Sequence, residues 1–166
     1  MDPRLTTKKS NLHGQGVFAT APIKQGEIII RWGGKVYTIQ QVLNGETRDQ
    51  TACQIAEDMY IAEPPESILT NEDLMNHSCD PNTWMDDETT ISARRDIQPG
   101  EEITADYALW VAYPGHSMIT NCQCGSLLCR KNITGDDWAL KELQERYKGH
   151  FPPYLERRIM SMQQGS

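Results

Sequence analysis

Three of the chain's five cysteines fall in one short run, Cys122-Gln123-Cys124-Gly125-Ser126-Leu127-Leu128-Cys129. Thiolates at this spacing are the donors of a structural zinc site, which takes four ligands in tetrahedral array with sulfur at about 2.3 Å. The run supplies three, and Gly125 eases the sharp turn between them. The natural fourth is Cys79, within Asn76-His77-Ser78-Cys79-Asp80-Pro81-Asn82, while His116 and Cys53 compete for the place. A site closed by four protein ligands leaves no open position, so such a metal folds the chain and does not catalyse. Cys53, apart from the cluster, otherwise reads as a small buried hydrophobe.

Three further groups have types suited to chemistry. Asn76-His77 sits in a loop tightened by Asp80-Pro81-Asn82, where amide-like side chains can hydrogen-bond a ligand edge; alone, the pair reads as a capped polar turn. Gly14-Gln15-Gly16-Val17-Phe18-Ala19 places two glycines before a strand, so backbone groups can approach a ligand closely. It is no dinucleotide fingerprint, because neither a third glycine nor a helix follows. Asp106-Tyr107 ends a strand-like run that starts at Pro99-Gly100, and a tyrosine there commonly anchors a half-buried edge.

The elements that must position these groups are short and closely punctuated. Residues 16–20 and 27–32 read as strands around a Pro22…Gly26 turn, and Gly33-Gly34 leads into Lys35-Val36-Tyr37. Thr38 caps a short helix with Ile39, Val42 and Leu43 on one face, ended by Asn44-Gly45. Residues 58–62 form another strand, stopped by Pro64-Pro65. Residues 90–94 and 102–106 flank the Gln98-Pro99-Gly100 turn as a further pair. Only the C-terminus is helical in pattern. Asp136 or Asp137 caps a helix burying Leu140, Leu143 and Tyr147, closed by Gly149. Pro152-Pro153 opens a second helix with Leu155, Ile159 and Met162 on one face, and residues 163–166 form a frayed tail.

At 166 residues and 38% hydrophobic, the sequence suits one globular domain with its own core. A formal net charge of −7 argues against binding nucleic acid by neutralising phosphates and favours a cationic partner. Arg4, Lys8 and Lys9 have no apolar stretch behind them, and Ile28-Ile29-Ile30 is far too short to span a bilayer, so neither a secretory signal nor a membrane anchor is expected. Clustered cysteines in odd number suit a reducing compartment: cytoplasm, or nucleus in a eukaryote.

In this order the motifs resemble the SET-domain family of protein-lysine N-methyltransferases. Four segments carry the resemblance: 14–19, 76–82, Gly100-Glu101-Glu102-Ile103-Thr104-Ala105-Asp106-Tyr107, and the post-SET pattern Cys122-x-Cys124-Gly125-x3-Cys129-Arg130. The fold this implies is mainly β with C-terminal helices, a β-clip-like SET fold of small curled sheets around a pseudoknot. The corresponding parts are a SET domain over 1–118, a post-SET zinc segment over 119–134 and a helical extension over 135–166. The resemblance implies S-adenosylmethionine as cofactor, giving S-adenosylhomocysteine, with Gly14, Gln15, Gly16, Val17, Asn76, His77 and Ile133 around it. It also implies one structural Zn2+ on Cys79, Cys122, Cys124 and Cys129, and Tyr107 as the catalytic tyrosine. Tyr60, Trp84, Ala105 and Trp110 are candidates for the wall of a lysine channel. The implied partner is a lysine-containing protein or peptide of basic character, and a homo-oligomer is also admitted.

Two departures from the family pattern stand out. Asp73-Leu74 occupies the place of a usual Arg-Phe, and Ala105 stands where a Phe or Tyr helps set how many methyl groups are added. The small Ala105 side chain leaves room for a bulkier amine, and so for di- or trimethylation. Two other classes compete with an enzyme: a catalytically silent SET module that binds a peptide, and a zinc-stabilised nucleic-acid adaptor. The first should lack the tyrosine or the Asn-His pair, and the second should be basic.

Overall fold

A computed structural model describes residues 2–164 of the chain. In order, the strands are β1 (Leu5–Lys9), β2 (Gln15–Ala19), β3 (Ile28–Arg31), β4 (Lys35–Thr38), β5 (Cys53–Ala56), β6 (Met59–Ala62), β7 (Asn76–His77), β8 (Thr83–Met85), β9 (Thr90–Ala93), β10 (Glu102–Ala105), β11 (Ser117–Ile119) and β12 (Ile133–Thr134). The helices are α1 (Ile39–Leu43), α2 (Lys141–Arg146) and α3 (Pro153–Gln164), with 3-10 turns at Asn71–Leu74, Tyr107–Leu109 and Asp137–Ala139. These strands make small sheets ordered β1-β2-β10-β7, β3-β9-β8, β4-β6-β5 and β11-β12. The expected class, mainly β with C-terminal helices, is what the molecule has.

The strands follow their side chains. Ile29 and Ile30 in β3, Ile91 in β9 and Ile103 in β10 are β-branched and almost wholly buried, which suits a pleated surface covered on its inner face. Residues 90–94 and 102–106 are both strands, but the expected pairing between them does not form. Instead β9 lies between β3 and β8, while β10 lies between β2 and β7. The turn at Gly100 (φ 87°) is therefore a crossover between two sheets. Ile97, completely buried just before it, bridges to Ile23.

Two features hold the Asn76–Cys79 segment against β10. β7 pairs with β10 in parallel, Thr104 opposite Asn76 and Ala105 opposite His77. Asn82 then substitutes for a strand: its Nδ2 donates to the Glu102 carbonyl at 2.8 Å, and its Oδ1 accepts the Thr104 N–H at 2.9 Å. These are the two chain segments of the expected pseudoknot, and they lie side by side.

α1 forms where expected, capped by Thr38 with Gln41 in a reciprocal capping box, yet none of its residues is fully buried. The C-terminal helix begins later than the sequence suggests. Asp136 and Asp137 do not cap α2; its N-cap is Leu140, which is exposed, whereas Leu143 and Tyr147 are completely buried. The two aspartates are committed elsewhere. Asp136 accepts the Gly115 N–H at 2.9 Å, and Asp137 accepts from Arg130 at 2.8 Å and from Thr134 at 2.7 Å. On α3, Tyr154, Leu155 and Ile159 pack inward while Met162 faces solvent. Gln163 and Gln164, expected in a frayed tail, continue the helix, and residues 165–166 of that tail lie outside the described residues.

One large core joins all of this. It runs from Leu5 and Val17 through Ile29, Ile91 and Ile103 to Leu143, Tyr147, Tyr154 and Leu155, so the C-terminal segment completes the core rather than decorating it. Burying each such aliphatic side chain contributes roughly 1.5–3 kcal/mol. A second, smaller cluster gathers Cys79, Cys122 and Ile133, with Tyr107, Met118 and Ile119 packed against it.

Candidate active site and metal centre

The four cysteines named from spacing converge. The sulfurs of Cys79, Cys122, Cys124 and Cys129 all lie within 4.8 Å of one another, as four donors around one tetrahedral ion require. No disulfide joins any of them. The competitors fall away: Cys53 is buried in β5 opposite Ile61, and His116 is solvent-exposed. Positive φ at Asn121 (60°), Gly125 (73°) and Lys131 (66°) bends the chain around the cluster. The donor chemistry suits zinc, and all four residues fit it.

His77 joins this cluster to the tyrosine. Its Nδ1 accepts the Tyr107 backbone N–H at 3.3 Å, and its Nε2 lies 3.2 Å from the Cys79 sulfur. An accepting Nδ1 places the ring proton on Nε2, facing sulfur. Burial holds the imidazole pKa down at about 4, against the opposing pull of Asp106, so the ring is neutral at physiological pH.

Asn76 sits at the centre of the glycine segment. Its Nδ2 is within 3.0 Å of the His13 and Gln15 carbonyls and 2.7 Å from Glu102 Oε1. Three acceptors around one nitrogen fix the amide's orientation. Its Oδ1 therefore has no donor among the described residues. Ser10 donates to the same Glu102 carboxylate at 2.8 Å, tying down the loop before Gly14. A Cβ on Gly16 would stand 2.2 Å from Glu102 Oε1 and 3.0 Å from Asn76 Nδ2, so any larger residue there must displace that carboxylate and amide. Gly14 (φ 48°) and Gln15 remain exposed, while Val17 points wholly into the core and can offer a ligand only backbone. An unpartnered amide oxygen beside an exposed glycine turn suits a ligand carrying amino groups. These residues thus fit the implied cofactor. Ile133 is completely covered, packed among the cysteines, Tyr107 and Met118.

Tyr107 is half-buried at the head of a 3-10 turn that Asp106 caps by accepting the Ala108 N–H at 3.1 Å. Its hydroxyl donates to the Met75 carbonyl at 2.9 Å. Burial first, and the Glu102 charge second, push its pKa up to about 12, so it keeps its proton. Trp110 stacks on its ring at 4.7 Å, and Trp32 meets Trp110 edge-on at 4.8 Å. The Trp110 indole N–H and the Tyr154 hydroxyl are, among the described residues, the buried polar side-chain atoms without a partner. Ala105 is buried in the core against which Trp32 and Trp110 pack.

Trp84 stacks on His150 at 3.4 Å and donates to Ser92, on the opposite face of β8 from Thr83, which bonds β10. Tyr60 is buried in β6, in the surroundings of Cys53, Tyr154 and Arg158. Sequence reading missed Trp32 altogether, because no local pattern ties β3 to Trp110. Trp32 also borders a small cavity of about 100 Å³ lined by Glu63, Glu72 and Asp73. Asp73, the departure from the usual Arg, closes its own turn by accepting from the Thr70 N–H at 2.7 Å and the Thr70 hydroxyl at 2.9 Å.

Comparison with known proteins places this geometry. The family model described as SET domain matches residues 14–108. The histone-lysine N-methyltransferase ASHH3 of Arabidopsis thaliana is 34% identical over 135 residues, covering 72% of this chain and 35% of that protein. Trithorax of Drosophila virilis, a histone-lysine N-methyltransferase, is 28% identical over 139 residues, covering 75% of this chain but 3% of its own length. Among solved structures, the methyltransferase domain of human SETMAR aligns with a TM-score of 0.60 at 19% identity, over 78% of this chain and 57% of that one. Arabidopsis thaliana SUVH6, solved with SAM, aligns with a TM-score of 0.62 at 19% identity, over 78% of this chain and 33% of that one. The chain thus spans well under half the length of these curated relatives. With its family model matched over more than half the sequence, the chain belongs to the SET-domain family.

Proposed function

We propose that this chain is a protein-lysine N-methyltransferase, moving a methyl group from S-adenosylmethionine to a lysine side-chain amine. The observation that carries the reading is Tyr107 itself. Its backbone N–H bonds His77 and its ring stacks on Trp110, which meets Trp32, while its proton is held by the Met75 carbonyl. Relatives named as histone-lysine N-methyltransferases, and a structural neighbour solved with SAM, support it.

S-adenosylmethionine supplies an electrophilic methyl on a sulfonium. The residues of the chain do the rest. Gly14, Gln15 and the Asn76 amide oxygen bind the donor, and Gly16 lets its loop lie close against Glu102. The attacking amine must be neutral, yet free lysine has a pKa near about 10.4. Aromatic walls from Trp110 and Trp32 disfavour the ammonium by excluding water. Tyr107 commits its hydrogen to Met75, so its oxygen lone pairs face outward to accept weak C–H···O contacts that steer the methyl. Acceleration comes chiefly from alignment and dryness rather than from a strong base.

The cavity beside Trp32, lined by Glu63 and Asp73, favours a basic substrate segment, and histones are the class that the relatives' names suggest. In a eukaryote, work on histones belongs to the nucleus in this reading. The cysteine cluster holds one zinc ion in this reading, over a post-SET segment spanning 119–134 that follows a SET domain over 1–118. Ala105, in place of a bulkier ring, allows di- or trimethyl product. The test is transfer of labelled methyl from S-adenosylmethionine to core histones and to a mixed protein extract. Wild-type protein should label protein, and Tyr107→Phe should lower the rate on the order of 100-fold while still binding the donor. Donor binding with no transfer to any protein would leave a silent module instead.

A further inference from the structure

Asp106 is completely buried, and four groups converge on its carboxylate. Arg130 makes a two-pronged pair with it, NH1 to Oδ2 and NH2 to Oδ1, both at 2.7 Å. The Tyr147 hydroxyl, at the end of α2, donates to Oδ2 at 3.1 Å. Oδ1 accepts the Ala108 N–H that closes the turn carrying Tyr107, and it lies 3.8 Å from His77 Nδ1. Each partner comes from a different part of the chain. Arg130 directly follows Cys129, and its backbone N–H points at the Cys79 sulfur at 3.4 Å. Its Nε is fixed by Asp137, which also receives the Thr134 hydroxyl. Next to Tyr147, Arg146 donates to the Cys79 carbonyl at 2.8 Å. The C-terminal segment therefore grips the same two points as the cysteine run: the cap of the tyrosine turn and the loop of Cys79.

We infer that Arg130 and Tyr147 are positioning residues for methyl transfer, acting through the Asp106 carboxylate to set the place of Tyr107. This rests on the methyltransferase reading above, but it concerns segments beyond the matched SET domain. A planar guanidinium bonded at both carboxylate oxygens fixes the carboxylate plane, and a lysine ammonium cannot. With the plane fixed, Oδ1 stays on the Ala108 N–H and the turn keeps its pitch. A free carboxylate would rotate, and a tyrosine displaced by about 1 Å can cost on the order of 100-fold in rate. Tyr147 adds a second restraint on Oδ2, so the same turn depends on α2.

The experiment uses the full zinc-loaded chain, with S-adenosylmethionine and core histones as substrates. Arg130→Lys keeps the charge and removes the fork, and kcat should fall on the order of 100-fold with the donor KM and zinc content unchanged. Tyr147→Phe removes one hydroxyl and keeps the ring, so it preserves packing. Its kcat should fall roughly fivefold. A second readout needs no turnover: in 3-fluorotyrosine-labelled protein, the fluorine line missing from Tyr107→Phe should shift in both variants. An unchanged kcat with an unmoved line overturns the inference. So does a loss that appears only as lost zinc or a collapsed Tm in both variants, since that is structural support alone. If wild-type protein transfers no methyl, the methyltransferase reading fails by itself. The Tyr107 line then decides the coupling: a shift upholds it and no shift overturns it.

Discussion

Single side chains here carry several duties at once, and Glu102 is the case with the clearest consequence. One carboxylate anchors Ser10 and Asn76, approaches Gly16 too closely for any Cβ, and adds its charge to the field that keeps Tyr107 protonated. Gly16→Ala should therefore displace Glu102 and release the Asn76 amide. We expect donor affinity, measured by calorimetric titration with S-adenosylhomocysteine, to weaken on the order of 10-fold, at a stability cost of about 1–3 kcal/mol. Unchanged affinity would remove this segment from the donor site. The residues of this region were legible in the sequence because motifs mark them: glycines before a strand, Asn-His in a tight loop, tyrosine at a strand end. Trp32 was not legible, since its partner Trp110 lies far along the chain and only tertiary packing joins them. Ile133 was legible only through the family resemblance, and the fold packs it into the cysteine cluster beside Tyr107.

At the scale of elements, short strands gain their positions from partners that the local sequence does not name. β9 and β10 have the right residues and the right turn for a hairpin, yet each completes a different sheet, β9 beside β3 and β10 beside β2, and residues of all four strands share one core. Two-residue strands such as β7 and β12 have no periodicity to detect, and long-range pairing creates them. The cysteine segment is the opposite case, since its spacing alone indicated its end. Its metal should be measurable. We predict one zinc per chain, with native Cys79, Cys122, Cys124 and Cys129 slow toward alkylating reagents until a chelator is added. Chelation should lower Tm on the order of 10 °C. Cys53 should stay unreactive even then, because burial raises its pKa to about 12 and keeps it a thiol. Five equally fast thiols after chelation would contradict this placement.

Across the whole molecule, the C-terminal helices and the sheets share one core, so the chain should unfold as a unit. Among the described residues, no helix is long and apolar enough to cross a membrane. The buried tyrosines give this unity a pH signature. Burial raises Tyr60 to about 12, and Tyr147 and Tyr154 are raised too. The unfolded chain releases these phenolic protons near about pH 10. Folded stability is then complete below that pH and is lost as pH rises through about 12, because the unfolded state holds fewer protons in that window. Phenolate absorbance and circular dichroism should therefore change together in alkali, and full phenolate formation with the fold intact would contradict the shared core. Mass spectrometry of core histones incubated with zinc-loaded protein and S-adenosylmethionine decides whether this molecule places a methyl on lysine through Tyr107. Methyl increments should map to lysine and reach the di- or trimethyl state, and the Tyr107→Phe variant should give on the order of 100-fold less product in the same time. Unmodified histones and extract proteins from a preparation that binds the donor, or equal labelling by the Tyr107→Phe variant, would contradict that assignment.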